Sequence, residues 1–261
     1  MGDLKNITFT FKDKSYKIFI DSIKQLSALY DDIFLYIDRK NIYAYCALGN
    51  DGGATLAFKN YCFRTDDMLN HDDFDFALSF IIVKSKKFIN NINILDSDNI
   101  QMRFSYRESL NADTNSYEAK TIELRSGKMK IKWICGITIL NIITLDKLNS
   151  LFSMSEKRLT FDISREDFSN IYKLSSINSD ISYIQIDVQG SNVVVQQENK
   201  WEMTTTTDLD NLINKSMMID RSFLKFINTK VDNIIFDVYD NFILIKDDVS
   251  NLMLSFQQNF E

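Results

Sequence analysis

The 261-residue chain has no proline, one histidine and three cysteines. With His71 as its single imidazole, a zinc site built on paired histidines is excluded. Nucleophilic catalysis of the Ser-His or Cys-His kind would rest on one residue in an acidic loop. Cys46, Cys62 and Cys135 are far apart, lack Cys-x-x-Cys spacing and stand beside apolar or aromatic residues. Reduced, buried thiols are expected. No apolar run reaches the about 18 residues of a membrane helix, and no signal-peptide pattern occurs, so a cytoplasmic or nuclear protein, neither secreted nor membrane-bound, is expected. The cluster Gly49-Asn50-Asp51-Gly52-Gly53 lacks the Lys-Ser/Thr of a phosphate-binding loop and reads as a turn. The sequence offers no recognition helix, zinc finger or aromatic stacking platform. No cofactor is implied.

What is present is a repeat. Lys87-Phe88-Ile89-Asn90 is followed by Asp98-Asn99-Ile100, and Lys225-Phe226-Ile227-Asn228 by Asp232-Asn233-Ile234. Each copy reads as a short amphipathic helix feeding a strand. Before the first copy, Ile7–Phe11 alternates as a strand, Lys12-Asp13-Lys14 reads as a turn, and Tyr16–Ile20 fits a returning strand. Asp21 then fits the cap of a helix carrying Ile23, Leu26 and Tyr30. Strands are predicted at 33–38, 42–47, 54–63, 74–83, 100–106, 117–125 and 128–135, with 66–73 as an acidic loop. Residues 136–157 interrupt this rhythm and are read as a connector between domains 1–135 and 158–261. In the second half, Ser164 and Asp167 have the spacing of a capping box, ahead of a helix bearing Phe168 and Ile171. Strands follow at 181–188, 192–198, 200–207 and 212–219, then the second repeat helix and three closing strands at 234–239, 242–247 and 252–256. The pattern predicts an α+β fold of two repeated domains, each with antiparallel sheets and two helices on one face.

Charge separates along the same lines. The four predicted helices, 21–30, 84–95, 164–177 and 220–230, carry nine basic residues against four acidic ones, a net +5. The whole chain is −6, which leaves −11 for everything else. Helical spacing points Lys86, Asn90 and Asn93 away from Phe88, Ile89 and Ile92, and Arg221, Lys225 and Asn228 away from Phe223 and Ile227. Basic and amide groups on faces without interleaved aromatics suit phosphate contacts and not base edges.

Taken with Ile163-Ser164-Arg165-Glu166-Asp167-Phe168, the hairpin Ile184-Gln185-Ile186-Asp187…Asn192-Val193-Val194-Val195 and the duplicated helix-to-strand unit, the chain resembles the sliding DNA clamps. The likeness is to the kind with two domains per subunit, which includes proliferating cell nuclear antigen and the clamps of T4-type bacteriophages. It implies the DNA-clamp fold and a homotrimeric ring around double-stranded DNA, bound without regard to sequence. A clamp loader would place the ring and a DNA polymerase would be tethered by it. The inner basic positions would be Lys24, Lys86, Lys87, Lys173, Arg221 and Lys225, with Lys84, Arg165 and Lys230 beside them. The strand Lys128–Cys135 of one subunit would pair with Lys200–Thr207 of the next. A partner-peptide pocket near the connector would draw on Ile143, Leu145, Leu148, Leu151, Phe152 and Met154, with Phe260 from the tail. The zero proline count and Asn/Ile/Lys richness fit a phage or other virus.

Two alternatives stay open. One is a monomeric viral processivity or transcription factor with the clamp fold and no ring. The other is a metal-dependent enzyme using Asp66, Asp67, Asp72 or Asp73. The reading as a processivity factor expects no catalytic residues and no metal.

Overall fold

The computed structural model describes residues 4–49, 55–71, 74–95, 99–108, 116–136, 150, 152–177, 180–198, 200–206, 214–227, 231–247 and 249–255. The chain divides into two compact units. The first comprises Met1–Cys46 and Asn60–Leu148, the second Ala47–Lys59 and Asn149–Glu261.

In chain order, β1 (Lys5–Phe11) precedes α1 (Ser15–Leu29), β2 (Ile33–Ile37), β3 (Asn41–Gly49) and β4 (Thr55–Arg64). A single turn, α2 (Thr65–Met68), and the short β5 (Leu69–Asn70) come next. Then follow β6 (Ala77–Ile82), α3 (Ser85–Ile92), β7 (Gln101–Glu108), β8 (Ser116–Ser126) and β9 (Met129–Ile134). The second half runs β10 (Leu159–Ser164), α4 (Arg165–Ile177), β11 (Tyr183–Gln189), β12 (Asn192–Gln197), β13 (Trp201–Thr206) and β14 (Asn214–Asp220). A 3-10 helix (Arg221–Phe226), β15 (Asn233–Val238), β16 (Phe242–Lys246) and β17 (Ser250–Ser255) close it.

The repeat extends to strand pairing. In the first half β1–β7, β7–β8, β8–β9, β2–β3 and β2–β6 are antiparallel. Their counterparts β10–β15, β15–β16, β16–β17, β11–β12 and β11–β14 are antiparallel as well. One difference stands out: β6 also pairs in parallel with the start of β8, Ala77–Ser79 against Ser116–Glu118. In the second half β13-β12-β11-β14 is a separate sheet. The strand β4 lies beside β17, while among the described residues β9 pairs only with β8 and β13 only with β12.

Each unit fills its own core. In the first, Phe9, Ile23, Leu26, Ile33, Phe80 and Phe104 have essentially no exposed surface. In the second, the register partners Phe161 and Phe236 stack 4.9 Å apart and 3° from parallel, with Phe168 and Ile171 of α4 also buried. Burial on this scale, about 1.5–3 kcal/mol per large apolar side chain, is what holds the helices to the sheets.

Four expectations are corrected. The stretch Tyr16–Ile20 is helix, not strand. Tyr16, Phe19, Ile20, Ile23 and Leu26 are buried at helical spacing while Ile18 is 51% exposed. Asp21 therefore sits inside α1, whose N-cap position is Lys14. The acidic stretch from residue 66 holds α2 and β5, with Asp66 and Asp67 in the first helical turn, where a helix dipole favours acids. The second repeat helix is of 3-10 form and ends at Phe226. The Ser164 cap is present, the Asp167 N–H donating to Ser164 Oγ at 3.1 Å. The Asp167 carboxylate, however, accepts from Thr205 Oγ1 at 2.9 Å instead of closing a reciprocal box.

Candidate functional site

Two helix pairs carry the basic side chains. In the first unit α1 and α3 pack together, and the Tyr16 hydroxyl donates to the Ile92 carbonyl at 3.2 Å. The start of α3 is fixed from the turn after α1. Ser85 N–H donates to the Asp31 carbonyl at 2.8 Å, and the Asp31 carboxylate accepts from Lys86 N–H at 3.4 Å. This capping from a neighbouring segment satisfies N–H groups that a helix leaves open at its first turn. Lys84 supplies the bend, with φ of +54°.

The face of α3 matches its spacing. Ser85, Phe88, Ile89 and Ile92 are buried, and Lys86, Lys87, Asn90, Asn91 and Asn93 are exposed. Behind it, the Phe88 ring meets Trp133 of β9 edge-on at 5.5 Å. On α1, Lys17 and Lys24 are exposed two turns apart, preceded by Lys14. Lys24 sits 3.6 Å from Asp21, an exposed pair of small energetic weight. Sequence reading missed Lys14 and Lys17 because it assigned their stretch to a turn and a strand. Extending the helical period of Ile23 and Leu26 back to Phe19 and Tyr16 finds them.

In the second unit α4 buries Phe168, Ile171 and Ser175 and exposes Arg165, Glu166, Asn170, Tyr172, Lys173, Ser176 and Ile177. The 3-10 helix is capped by Asp220, whose carboxylate accepts from Ser222 N–H at 2.8 Å, and buries Phe223, Leu224 and Phe226. Lys225 is exposed, its ammonium 5.0 Å from the Phe226 ring centre. Arg221 departs from its expected outward position. It is half-buried, and its Nη1 donates to the Ser175 carbonyl of α4 at 2.6 Å, joining the two helices. Across α1, α3, α4 and the 3-10 helix, eight basic residues stand against three acidic ones, so the net +5 persists with altered membership. Lys230 lies outside the described residues.

A second feature is aromatic. Tyr239 and Phe242 close the β15–β16 turn, Tyr239 N–H donating to the Phe242 carbonyl at 2.9 Å, and their rings stack 4.3 Å apart at 15°. Phe152, in the helical turn 152–154, lies 6.4 Å from Tyr239 and 6.1 Å from Phe242. Burial, aided by the Asp237 charge, pushes the Tyr239 phenol up. Beside the rings, Arg158 grips Asp240 through Nε at 2.7 Å and Nη2 at 3.1 Å, and reaches Glu156 at 2.8 Å. Of the residues expected at a partner pocket, Phe152 joins this cluster and Met154 is 84% exposed. Ile143, Leu145, Leu148, Leu151 and Phe260 lie outside the described residues. Tyr239 and Phe242 were read only as strand ends.

His71 Nε2 lies 3.2 Å from Asp66, and its ring packs edge-on against Phe74 at 5.1 Å and Phe9 at 6.4 Å. Asp72 and Asp73 lie outside the described residues. Among those described, no three His, Cys, Asp or Glu side chains group closely enough to hold a metal ion. No described helix is long and apolar enough to cross a membrane.

Two copies of one strand-helix topology, each with a pair of helices, define the fold as that of the DNA sliding clamps. Similar solved structures include the Helicobacter pylori beta clamp bound to a DNA ligase peptide, at 12% identity and a TM-score of 0.67, covering 99% of this chain and 68% of that one. Proliferating cellular nuclear antigen of Entamoeba histolytica matches at 13% identity and a TM-score of 0.65, covering 98% of this chain and 100% of that one. The beta chain of DNA polymerase III from Streptococcus pneumoniae matches at 11% identity and a TM-score of 0.65, covering 98% and 66%. The chain thus spans about two thirds of the bacterial clamps and the full length of the Entamoeba protein. No family model and no curated protein matches its sequence.

Proposed function

We propose that the protein is a DNA polymerase processivity factor: three copies close into a ring around duplex DNA and tether the polymerase to its template. The observation that carries this reading is the sign split. The helices α1, α3, α4 and the 3-10 helix hold net +5 in a chain of net −6, and in each unit their exposed side chains include more bases than acids. A ring lined by such faces would hold phosphates without reading bases, which suits a protein that must slide. The channel side chains are Lys24, Lys84, Lys86, Lys87, Arg165, Lys173, Lys225 and Lys230, now joined by Lys14 and Lys17. Arg221 acts mainly between helices.

In this reading 1–135 and 158–261 are the two clamp domains and 136–157 is their connector. The ring would be sealed by β9 of one copy pairing with β13 of the next. The repeat supports that pairing, because β17 and β4 correspond to β9 and β13 and lie side by side within the chain. Partner peptides would dock where Tyr239, Phe242 and Phe152 meet. The Helicobacter clamp's ligase peptide supports partners of this kind. The ring has no catalytic task of its own and needs a separate loader to open around DNA. A phage or other viral source fits the composition.

The test is solution mass by light scattering over a range of concentrations. Three 30.4 kDa chains give about 91 kDa. That mass, with retention on circular but not linear DNA, is the expected result. A chain that stays monomeric at high concentration overturns the ring and leaves the ringless viral factor.

A further inference from the structure

We infer that Phe152 is an intrachain competitor for the surface presented by Tyr239 and Phe242, covering it until an aromatic side chain of a partner displaces it. This rests on the reading that partner peptides dock there. The receptor rings do not depend on Phe152 for their arrangement. They belong to one turn, closed by its own backbone hydrogen bond, and stack at 4.3 Å. Phe152 approaches both rings at 6.1–6.4 Å and at 28° and 38°. Aromatic pairs span about 4.5–7 Å between centres, so this lid sits at the loose end of the range over a tightly stacked base.

The segment that carries Phe152 is a single helical turn followed by a bend. Within it, Ser153 Oγ donates to the Ser150 carbonyl at 2.9 Å and Ser155 N–H to the Phe152 carbonyl at 3.3 Å, both bonds local to the turn. Ser153 and Met154 are exposed. The chain is pinned immediately afterwards, by Arg158 on Asp240 and by Lys157 at 3.5 Å from Asp237. Motion of Phe152 would therefore pivot before Lys157 and leave β10 in place. An aromatic ring is the occupant found on this surface, so an aromatic side chain is the occupant a partner would bring. A tethered competitor lowers a partner's apparent affinity by the fraction of molecules in which the surface is open.

The experiment uses the chain's own segment as probe. A labelled peptide with the sequence of residues 148–156 is titrated against the full-length protein and followed by fluorescence anisotropy. The peptide binds Phe152→Ala about three- to tenfold more tightly than wild type, because the competitor is gone. Phe152→Leu, which keeps apolar bulk without the ring, falls between them. Adding Tyr239→Ala to Phe152→Ala abolishes binding. Equal binding to wild type and Phe152→Ala, or binding to neither, overturns the inference. The docking reading is checked apart from it. Tyr239→Ala alone abolishes stimulation of DNA synthesis if partners dock on these rings. Unchanged stimulation sinks that reading and leaves the peptide result standing.

Discussion

The ammonium of Lys59 donates to the backbone carbonyl of Phe226, the last residue of the 3-10 helix. Lys59 projects from β4 and is 1% exposed. A cation at the carbonyl end of a helix is favourable, and a buried one fixes that end in space. Lys59→Ala removes this bond and leaves a cavity, so a loss of about 2–4 kcal/mol is expected. A denaturant titration reads it as a lower midpoint at unchanged slope.

The basic faces make separable predictions. Charge reversal at Lys17, Lys24, Lys86, Lys87 or Lys173 weakens DNA retention. Each phosphate left without its cation lowers the salt dependence of log K by about 0.9. Folding stability stays within about 0.5 kcal/mol, because these side chains are exposed. Arg221→Ala behaves in the opposite sense. It breaks the bond to the Ser175 carbonyl, lowers stability by about 1–3 kcal/mol and changes the salt slope little. Parallel melting and binding measurements on the two sets of variants check the division.

Asp237 links stability to pH. Burial pushes its carboxyl up, but hydrogen bonds from Lys246 at 2.5 Å and Thr160 at 2.6 Å, with the Lys246 and Lys157 charges, together hold it below the usual carboxylate range. A carboxyl depressed in the folded state takes up its proton first in the unfolded chain. Its contribution is therefore fully present above the unfolded value of about 3.9 and is lost as pH falls through the folded value. Glu123, pushed up by burial but held down more strongly by Lys130 and Arg125, adds in the same direction. Unfolding titrations from pH 6 down to about pH 2 show the decline, and Asp237→Asn flattens its share of it.

Among the described residues, buried side-chain atoms of Tyr43, Asn60, Arg107 and Trp133 stand without hydrogen-bond partners, and Tyr43 and Asn60 are the two of these whose whole side chains are buried. Both amide atoms of Asn60 and the Tyr43 hydroxyl are enclosed in this way, and Asn60 is fully buried. Burial also pushes the Tyr43 phenol up. Replacing such a group by an apolar one of similar shape removes a desolvation cost. Tyr43→Phe and Asn60→Val are each expected to stabilise by about 1 kcal/mol, or about 3 °C in melting temperature. Differential scanning calorimetry reads the shift.

Some of this was legible in the residues and some was not. The α3 face could be read because Phe88, Ile89 and Ile92 sit on one side of an 8-residue helix and polar groups fill the other. The start of α1 was ambiguous. Tyr16, Ile18 and Ile20 satisfy a strand period, while Tyr16, Phe19, Ile23 and Leu26 satisfy a helical one, and packing decided for the second. The inward turn of Arg221 depends on a carbonyl 46 positions away, which no local pattern encodes. The Tyr239–Phe242 pair was invisible for a related reason. A strand-end aromatic becomes part of a cluster only when a ring from far back in the chain, Phe152, is laid over it.

The placement of β17 beside β4, set against the edges that β9 and β13 leave open among the described residues, has a consequence for dilution. The first junction is unimolecular: its two strands belong to one chain, and their local concentration is set by the polypeptide however dilute the protein becomes. The proposed β9–β13 junction between copies is bimolecular and follows mass action. As concentration falls, a three-copy ring would part at its three intermolecular seams while the three strand pairings within single chains hold. A loader would then work on a seam already predisposed to open.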